Sequence, residues 1–425
     1  MTTDGMDGAI PGRAGWISQI ASRWFVRLMV ITGIAQFISS SIRPLLTYES
    51  LAAGAGPFEV GLVAAAFSTL ALAAAIPMGK AVDRRGETGF LIMGGVLVAT
   101  TLVALMAPVN LVVLGVCSAG LGLGHLSLVA AGQTLIAKGS QPERREMRFA
   151  TLTTVNAVAQ IVGPAVTGFI IGQVPSTPQS VALHVPRSNL VLAFAAGLAV
   201  VATISAISLR LRPGALIARP APQASPRRRA FSAVMKLPAV PTAMLASLTV
   251  LTCVDLLSAY LPVFGQQHGL SVRTVGLLLA TQGVASMLIR FWMLRLIARF
   301  SRRRLLMGTM ALAALSVASI PLWGMTSDPV PGLFVAMCLA GLGLGVGQPA
   351  TMAWVAAQTP ATLRGTAVSI RLSGNRLGLI LVPICAGSLA GALGLAAVFW
   401  LPATLLVLSV FLVRRSEVGS HEREG

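Results

Sequence analysis

The segment Cys117-Ser118-Ala119-Gly120-Leu121-Gly122-Leu123-Gly124 returns about half a chain later, nearly unchanged, as Cys338-Leu339-Ala340-Gly341-Leu342-Gly343-Leu344-Gly345. Alternate glycines are poor filler for a water-soluble helix, since each costs about 1 kcal/mol relative to alanine. In lipid the same residues let helix backbones approach closely, and that packing is what holds membrane helices together. Two copies in corresponding positions of two halves constrain the chain to a duplicated membrane architecture.

Composition supports this. Apolar residues make up 55% and charged residues 11%, and several apolar runs exceed the roughly eighteen residues needed to cross a bilayer. The expected spans are 24–46, 58–79, 89–108, 111–137, 149–173, 189–210, 239–264, 274–297, 304–325, 330–356, 365–387 and 394–413. They predict an all-α membrane protein with twelve transmembrane helices in two pseudo-symmetric six-helix bundles, 24–211 and 239–413. A basic linker, 212–238, joins the bundles; it contains Pro213, Pro220, Pro222, Pro226 and Arg227-Arg228-Arg229 and has no apolar period. Tails of 1–23 and 414–425 flank them, and the first has neither the apolar core nor the cleavage site of a signal peptide. Cys117, Cys253, Cys338 and Cys385 all fall inside spans and read as small packing residues, with no disulfide frame or metal site.

The net charge of +19 suggests nucleic acid until its distribution is read. Only Arg187 and Arg273 fall in loops on one side, and Arg27, Arg43, Arg290, Arg371 and Arg376 lie within spans. The other basic residues lie at or beyond span ends on the opposite side, which is the positive-inside rule. Both termini are therefore expected in the cytoplasm, with the chain in the cell's inner membrane and no nucleic-acid partner. The basic excess attracts anionic membrane lipids. On the other side, the loop 174–188 is the one long connection, and its His184 and Arg187 are expected to be solvated.

Between the second and third spans, Gly79-Lys80-Ala81-Val82-Asp83-Arg84-Arg85-Gly86 resembles the signature loop of the major facilitator superfamily, Gly-x-x-x-Asp-Arg-x-Gly. Glu87, Thr88 and Gly89 stand where the basic pair usually follows. A degenerate copy, Leu294-Arg295-Leu296-Ile297-Ala298-Arg299-Phe300-Ser301, has Ala298 in place of Asp83. With the spans and the duplication, the resemblance covers residues 20–415. It implies the fold of that superfamily and a monomeric secondary transporter that moves a small-molecule substrate by alternating access, without a cofactor. It also implies a conformational latch of Gly79, Asp83, Arg84 and Gly86, in which Asp83 meets the start of helix 11 near Thr362 to Gly365. Gly79 would permit a tight crossing, and a carboxylate at a helix boundary is placed to cap a neighbouring helix start. Asp83 and Arg84 as plain loop charges is the other reading.

In the fifth span Thr153, Asn156, Gln160, Gly163, Pro164 and Thr167 share one face. Gly163-Pro164 followed by Gly168 resembles the Gly-Pro motif of helix 5 in proton-driven exporters of this superfamily. Ala157 and Ala159 stand near its upstream glycines, and about Ser118 takes the place of the arginine found in helix 4 of such exporters.

A charge at bilayer depth is a functional hypothesis by default. Of 13 acidic residues, Asp255 alone lies deep in a span, with Thr252 and Ser258 on its face. The resemblance puts helices 1, 4, 7 and 10 around a central cavity, and so Asp255 on the path. Three roles stay open: proton coupling, a static pair with Arg43, or direct substrate contact. The eleventh span carries two polar stripes, one of Arg371, Asn375 and Gly378 and one of Ser369, Ser373 and Arg376. Arg371 can snorkel to the cytoplasmic surface or face inward, whereas Arg376, near mid-span, reads as a functional or gating residue. Gln36, Ser40 and Arg43 share a face of the first span, Gln348 and Thr351 one of the tenth, and Gln282 and Ser286 one of the eighth. Arg290 snorkels. His125 is either a second titrating site or a neutral ring bonded to a backbone carbonyl.

No phosphate-binding loop ending in Lys-Ser or Lys-Thr, no His-Glu-x-x-His helix and no nucleophile with a base is present, so an enzyme is not expected. Three readings follow. One is proton-coupled efflux of a small organic solute. Another is a proton-coupled or exchange carrier of an organic anion, since Arg43, Arg371 and Arg376 outnumber one Asp. The third is a lipid flippase or a non-transporting membrane sensor. If the latch exists, Asp83→Asn leaves folding intact and slows solute flux in proteoliposomes; wild-type turnover would show an ordinary surface loop.

Overall fold

The computed structural model describes residues 22–107, 110–172, 181–210, 232–237, 240–360 and 363–415. They fold into helices, with no strand among the described residues. The first half comprises α1 (Arg23–Ala52), α2 (Pro57–Arg85), α3 (Glu87–Ala104), α4 (Leu111–Gly139), α5 (Pro142–Ile171) and α6 (Val181–Arg210). The second comprises α7 (Val240–Gln267), α8 (Val272–Phe300), α9 (Arg302–Trp323), α10a (Val330–Gly345) with α10b (Gly347–Gln358), α11 (Arg364–Leu393) and α12 (Ala396–Arg415). Taking α10a and α10b as one span, 12 helical spans are long and apolar enough to cross a membrane. Each half has its own core, one around Phe25, Leu114 and Leu135, the other around Tyr260, Met310 and Phe399.

The repeated glycine runs occupy corresponding helices, α4 and α10a. A Cβ at Gly122 would strike the Phe67 carbonyl of α2, and one at Gly124 would lie 2.7 Å from Val98 of α3. In the second half, Gly341 and Gly345 face Gln282 and Ser286 of α8, the counterpart of α2. Gly343 faces Thr309 and Ala313 of α9, the counterpart of α3. Alternate helix positions lie about 200° apart, so the second run presents the opposite face. The two runs therefore do not correspond residue for residue: what recurs is a helix packed tightly on both flanks.

Four further expectations are corrected. The signature segment is not a loop, because α2 continues to Arg85 and only Gly86 links it to α3. Gly86 has φ +86°, a backbone conformation that side chains with a Cβ disfavour, and it ends one helix while starting the next. Gly79 makes no tight crossing here, since an added Cβ would meet nothing within 4 Å. On the other side of the fold, α6 already begins at Val181, inside the expected loop 174–188, while Arg187 is exposed as expected and its Nη1 also donates to the Ile171 carbonyl at the end of α5 (2.9 Å). Finally, the tenth span is broken at Val346, where Arg290 Nε donates to the freed Gly345 carbonyl (3.0 Å). Arg290 Nη2 also donates to Ser286 Oγ one turn back along α8 (3.4 Å), so the side chain is held by neighbouring groups within the spans instead of snorkelling.

The glycine contacts give a direct test. Gly122→Ala should lower stability by about 1–3 kcal/mol, the usual cost of overpacking, whereas Gly115→Ala, which meets nothing within 4 Å, should not. Thermal unfolding of the two purified variants compares them.

Candidate functional site

The halves meet along α1/α7, α2/α11 and α5/α8. At the end away from the basic loops, Tyr260 Oη of α7 lies 3.0 Å from the Pro57 carbonyl of α2 and 3.0 Å from the Pro383 carbonyl of α11. Thr47 Oγ1 of α1 donates to the Ala259 carbonyl of α7 (2.9 Å). Between α5 and α8, Gly276 packs on the Pro164 carbonyl and Gly168 on Arg273. The Arg273 guanidinium lies 4.5 Å from the Phe169 ring centroid. Gly163 lets α5 press on α1, where Ser40 Oγ donates to the Ala159 carbonyl (3.1 Å). The next residue, Pro164, turns its carbonyl to Gly276 of α8 in the other half. The Gly-Pro segment of α5 is therefore part of the seal between halves.

Toward the bilayer centre, two adjoining cavities share Arg43, Leu46 and Phe67. Ser39 and His125 line one of them; Thr47, Ser118 and Asp255 line the other. Arg43 Nη1 of α1 forms an ion pair with Asp255 Oδ1 of α7, so the one deep carboxylate joins the halves. The Arg43 side chain keeps 27% exposure and Asp255 only 9%, so the carboxylate is the more enclosed member of the pair. The Arg43 guanidinium also lies 4.3 Å from the Phe67 ring centroid, and that ring is 6.0 Å from the His125 imidazole. His125 has a backbone partner at Ala35, while its Nδ1 is buried without one. Arg376 of α11 is close enough to act electrostatically on both Arg43 and His125. One guanidinium, one carboxylate and an imidazole thus line mainly apolar cavities, where charges, including that of nearby Arg376, interact more strongly than in water.

A second polar group lies within the second half. Arg371 is 5% exposed and does not snorkel. Its Nη2 donates to Gln348 Oε1 (2.8 Å), the Gln348 carbonyl (3.2 Å) and Thr351 Oγ1 (3.2 Å). Gln348 Nε2 donates to the Ser247 carbonyl (2.7 Å), and Ser247 Oγ bonds the Asn375 amide (3.1 Å). These bonds tie α7, α10b and α11 together just past the α10 break. No carboxylate pairs with Arg371 among the described residues.

Not every expected cavity residue gathers at the pair. Thr252 Oγ1 and Ser258 Oγ donate to carbonyls of their own helix, at Leu248 (2.9 Å) and Val254 (3.2 Å). Gln36 is half-buried, and Gln160 is exposed with Thr153 on the α5 face. Asn156 Oδ1 is buried there without a hydrogen-bond partner. The carbonyls of Gln282 and Ser286 serve the packing of α10a. The side chains of Asp83, His184 and Gly365, and all of Thr362, lie outside the described residues, whereas Arg84 is exposed. Phe67, Ser247 and Tyr260 carry contacts that the sequence did not single out. Tyr260 left a signal, being one of 2 tyrosines in a span, where a buried phenol needs a partner.

The sequence matches a family model described as the Major Facilitator Superfamily, over residues 28–330 and again over 265–425. No curated protein matches it. Among solved structures, a mutant of the nucleoside transporter NupG is similar with a TM-score of 0.73 and 14% identity, over 92% of this chain and 99% of that one. A D-xylose–proton symporter follows at 0.72 and 14%, over 94% and 98%. A bacterial homologue of the human lysosomal transporter Spinster, inward-facing and unoccupied, gives 0.69 and 15%, over 92% and 96%. At such identities the likeness carries the fold alone.

Removing the carboxylate tests the pair. Asp255→Asn strands Arg43 and should cost about 3 kcal/mol, the low end for a broken buried pair because Arg43 is partly exposed. Adding Arg43→Gln should restore most of the loss. A double mutant as unstable as the single one would show that the pair does not hold the halves.

Proposed function

Taking as premise that the chain belongs to the major facilitator superfamily of membrane transporters, we propose that it exchanges protons for a small organic solute by alternating access. The observation that carries this reading is the Arg43–Asp255 ion pair between α1 and α7, on the wall of a chamber between the halves. A carboxylate that is costly to keep charged at this depth is a natural proton carrier. When Asp255 takes a proton, the pair loses its anion, the link between the halves weakens, and Arg43 is left for another partner. When it releases the proton, the pair re-forms and any anion on Arg43 is displaced.

We infer that this state is open toward the basic end. Polar side chains on facing helices are exposed in that half, namely Thr153 and Gln160 on α5 and Ser369 and Ser373 on α11. The seals around Tyr260, Gly168 and Gly276 lie at the other end. With the basic loops in the cytoplasm, this is an inward-open carrier of the inner membrane. Efflux is the direction we propose, on the Gly163-Pro164 contact of α5. A second reading, an organic anion as the cargo, is favoured by Arg376. Its positive charge acts on Arg43 from beside a chamber whose one deep acid is already engaged with Arg43.

Proteoliposome flux decides among these. An imposed pH gradient should drive concentrative movement of the cargo by wild type. The Arg43→Gln, Asp255→Asn double mutant should lose that drive by about tenfold, equivalent to one hydrogen-bond-sized change in free energy, while counterflow exchange survives. A double mutant that still follows the gradient would move the proton role to His125. Anions excluded from a panel of cations, neutral solutes and anions would remove the second reading.

A further inference from the structure

One corner of the second half holds a charge arrangement that transport does not use. Arg302, Arg303 and Arg304 fill the first turn of α9, which contains no acidic residue. A helix start offers free N–H groups and the positive end of the dipole, so cations there add to an existing positive field and an anion relieves it. Beside them α12 ends on Arg414 and Arg415. Arg303 Nη2 donates to the Arg414 carbonyl, which fixes the two helix ends against each other. The Nε atoms of Arg302 and Arg303 are shielded from water and lack hydrogen-bond partners.

The fold itself does not require this. At the corresponding corner of the first half, α3 begins with Glu87, whose carboxylate lies 2.8 Å from Lys138 Nζ. There the helix start has an acid of the favourable sign, and the acid has a cation. The second half has replaced that balanced pair with arginines.

Exposed rings stand among the arginines. The Arg415 guanidinium lies 4.1 Å from the centroid of Phe411, which is 46% exposed, and that of Arg295 lies 4.9 Å from Trp292, which is 54% exposed. Aromatic rings and basic groups at the ends of apolar spans are the side chains that meet lipid headgroups.

We propose that the α8–α9–α12 corner is a binding site for the phosphate of an anionic phospholipid. Its oxygens are held by the guanidinium groups at the α9 start and the α12 end, whose planar donors match a phosphate in pairs. Trp292 and Phe411 lie along the acyl chains. Free phosphate would satisfy the arginines but gives the exposed rings nothing to cover, so the occupant is a lipid. The site is separate from the central chamber and does not rest on the transport reading.

The test uses the full chain, purified in detergent and titrated with fluorescent phosphatidylglycerol against phosphatidylcholine. Wild type should prefer phosphatidylglycerol, and R302Q/R303Q should weaken its binding roughly tenfold or more, in line with the usual contribution of basic side chains at an anionic surface. R144Q/R145Q, an equal loss of charge at the same end of the first half, should leave it within about twofold. Equal losses in both variants would reveal diffuse charge and overturn the site, as would displacement by millimolar inorganic phosphate alone. If R302Q/R303Q does not fold, R414Q/R415Q changes only the last two residues of α12 and should weaken binding several-fold; unchanged binding there also overturns the proposal.

Discussion

Surrounded by hydrocarbon, helices gain nothing by hiding apolar side chains, so van der Waals contact at short range must join them. The structure depends on that constraint at each level. Within the first half, α4 can lie against α2 and α3 because Gly122 and Gly124 leave room for the backbones they touch. Between the halves, glycines recur where they meet: Gly61 and Gly387 around Tyr260, and Gly168 and Gly276 between α5 and α8. Small residues thus serve both permanent packing and the contacts that a transport cycle has to break. The second kind are backed by few polar bonds, which suits an interface that opens.

Electrostatics sets the second constraint. Charges are scarce in the spans, so each one present must be answered by a partner or by a function. Glu87 and Lys138 answer each other inside the first half, and Arg371 is answered by neutral acceptors on α10b. Asp255 answers Arg43 across the halves. That last pair differs in kind, because a change in its charge state is felt by two bodies with separate cores. Arg376 adds a positive charge near Arg43 without a second deep acid to match it.

Much of this was legible in advance, for reasons specific to lipid. The number of spans and the halving of the chain follow from apolar length and from the glycine repeat, since both signals are local. Asp255 could be singled out because a lone acid in a long apolar run is conspicuous, and Arg43 was already one of its candidate partners. Helix ends were less legible. The motif Gly79 to Gly86 reads as a loop by its charges, yet α2 runs through it, because a helix may carry charges once it leaves the hydrocarbon. For the same reason α6 starts inside what its polarity marks as loop.

By itself the sequence determined the membrane class, the duplication, the charge asymmetry and the short list of groups at bilayer depth. These depend on length, period and composition, which are properties of consecutive residues. Only the tertiary structure decided which faces the glycines turn to their neighbours, so that equal runs in α4 and α10a pack in opposite senses. It alone set Arg371 inward on Gln348 and Thr351 and gave Tyr260 to two helices of different halves. Rotation of a helix about its axis leaves its sequence pattern almost unchanged in a span that is apolar all round. Contact with particular neighbours fixes that rotation, and with it the partners of each buried polar group.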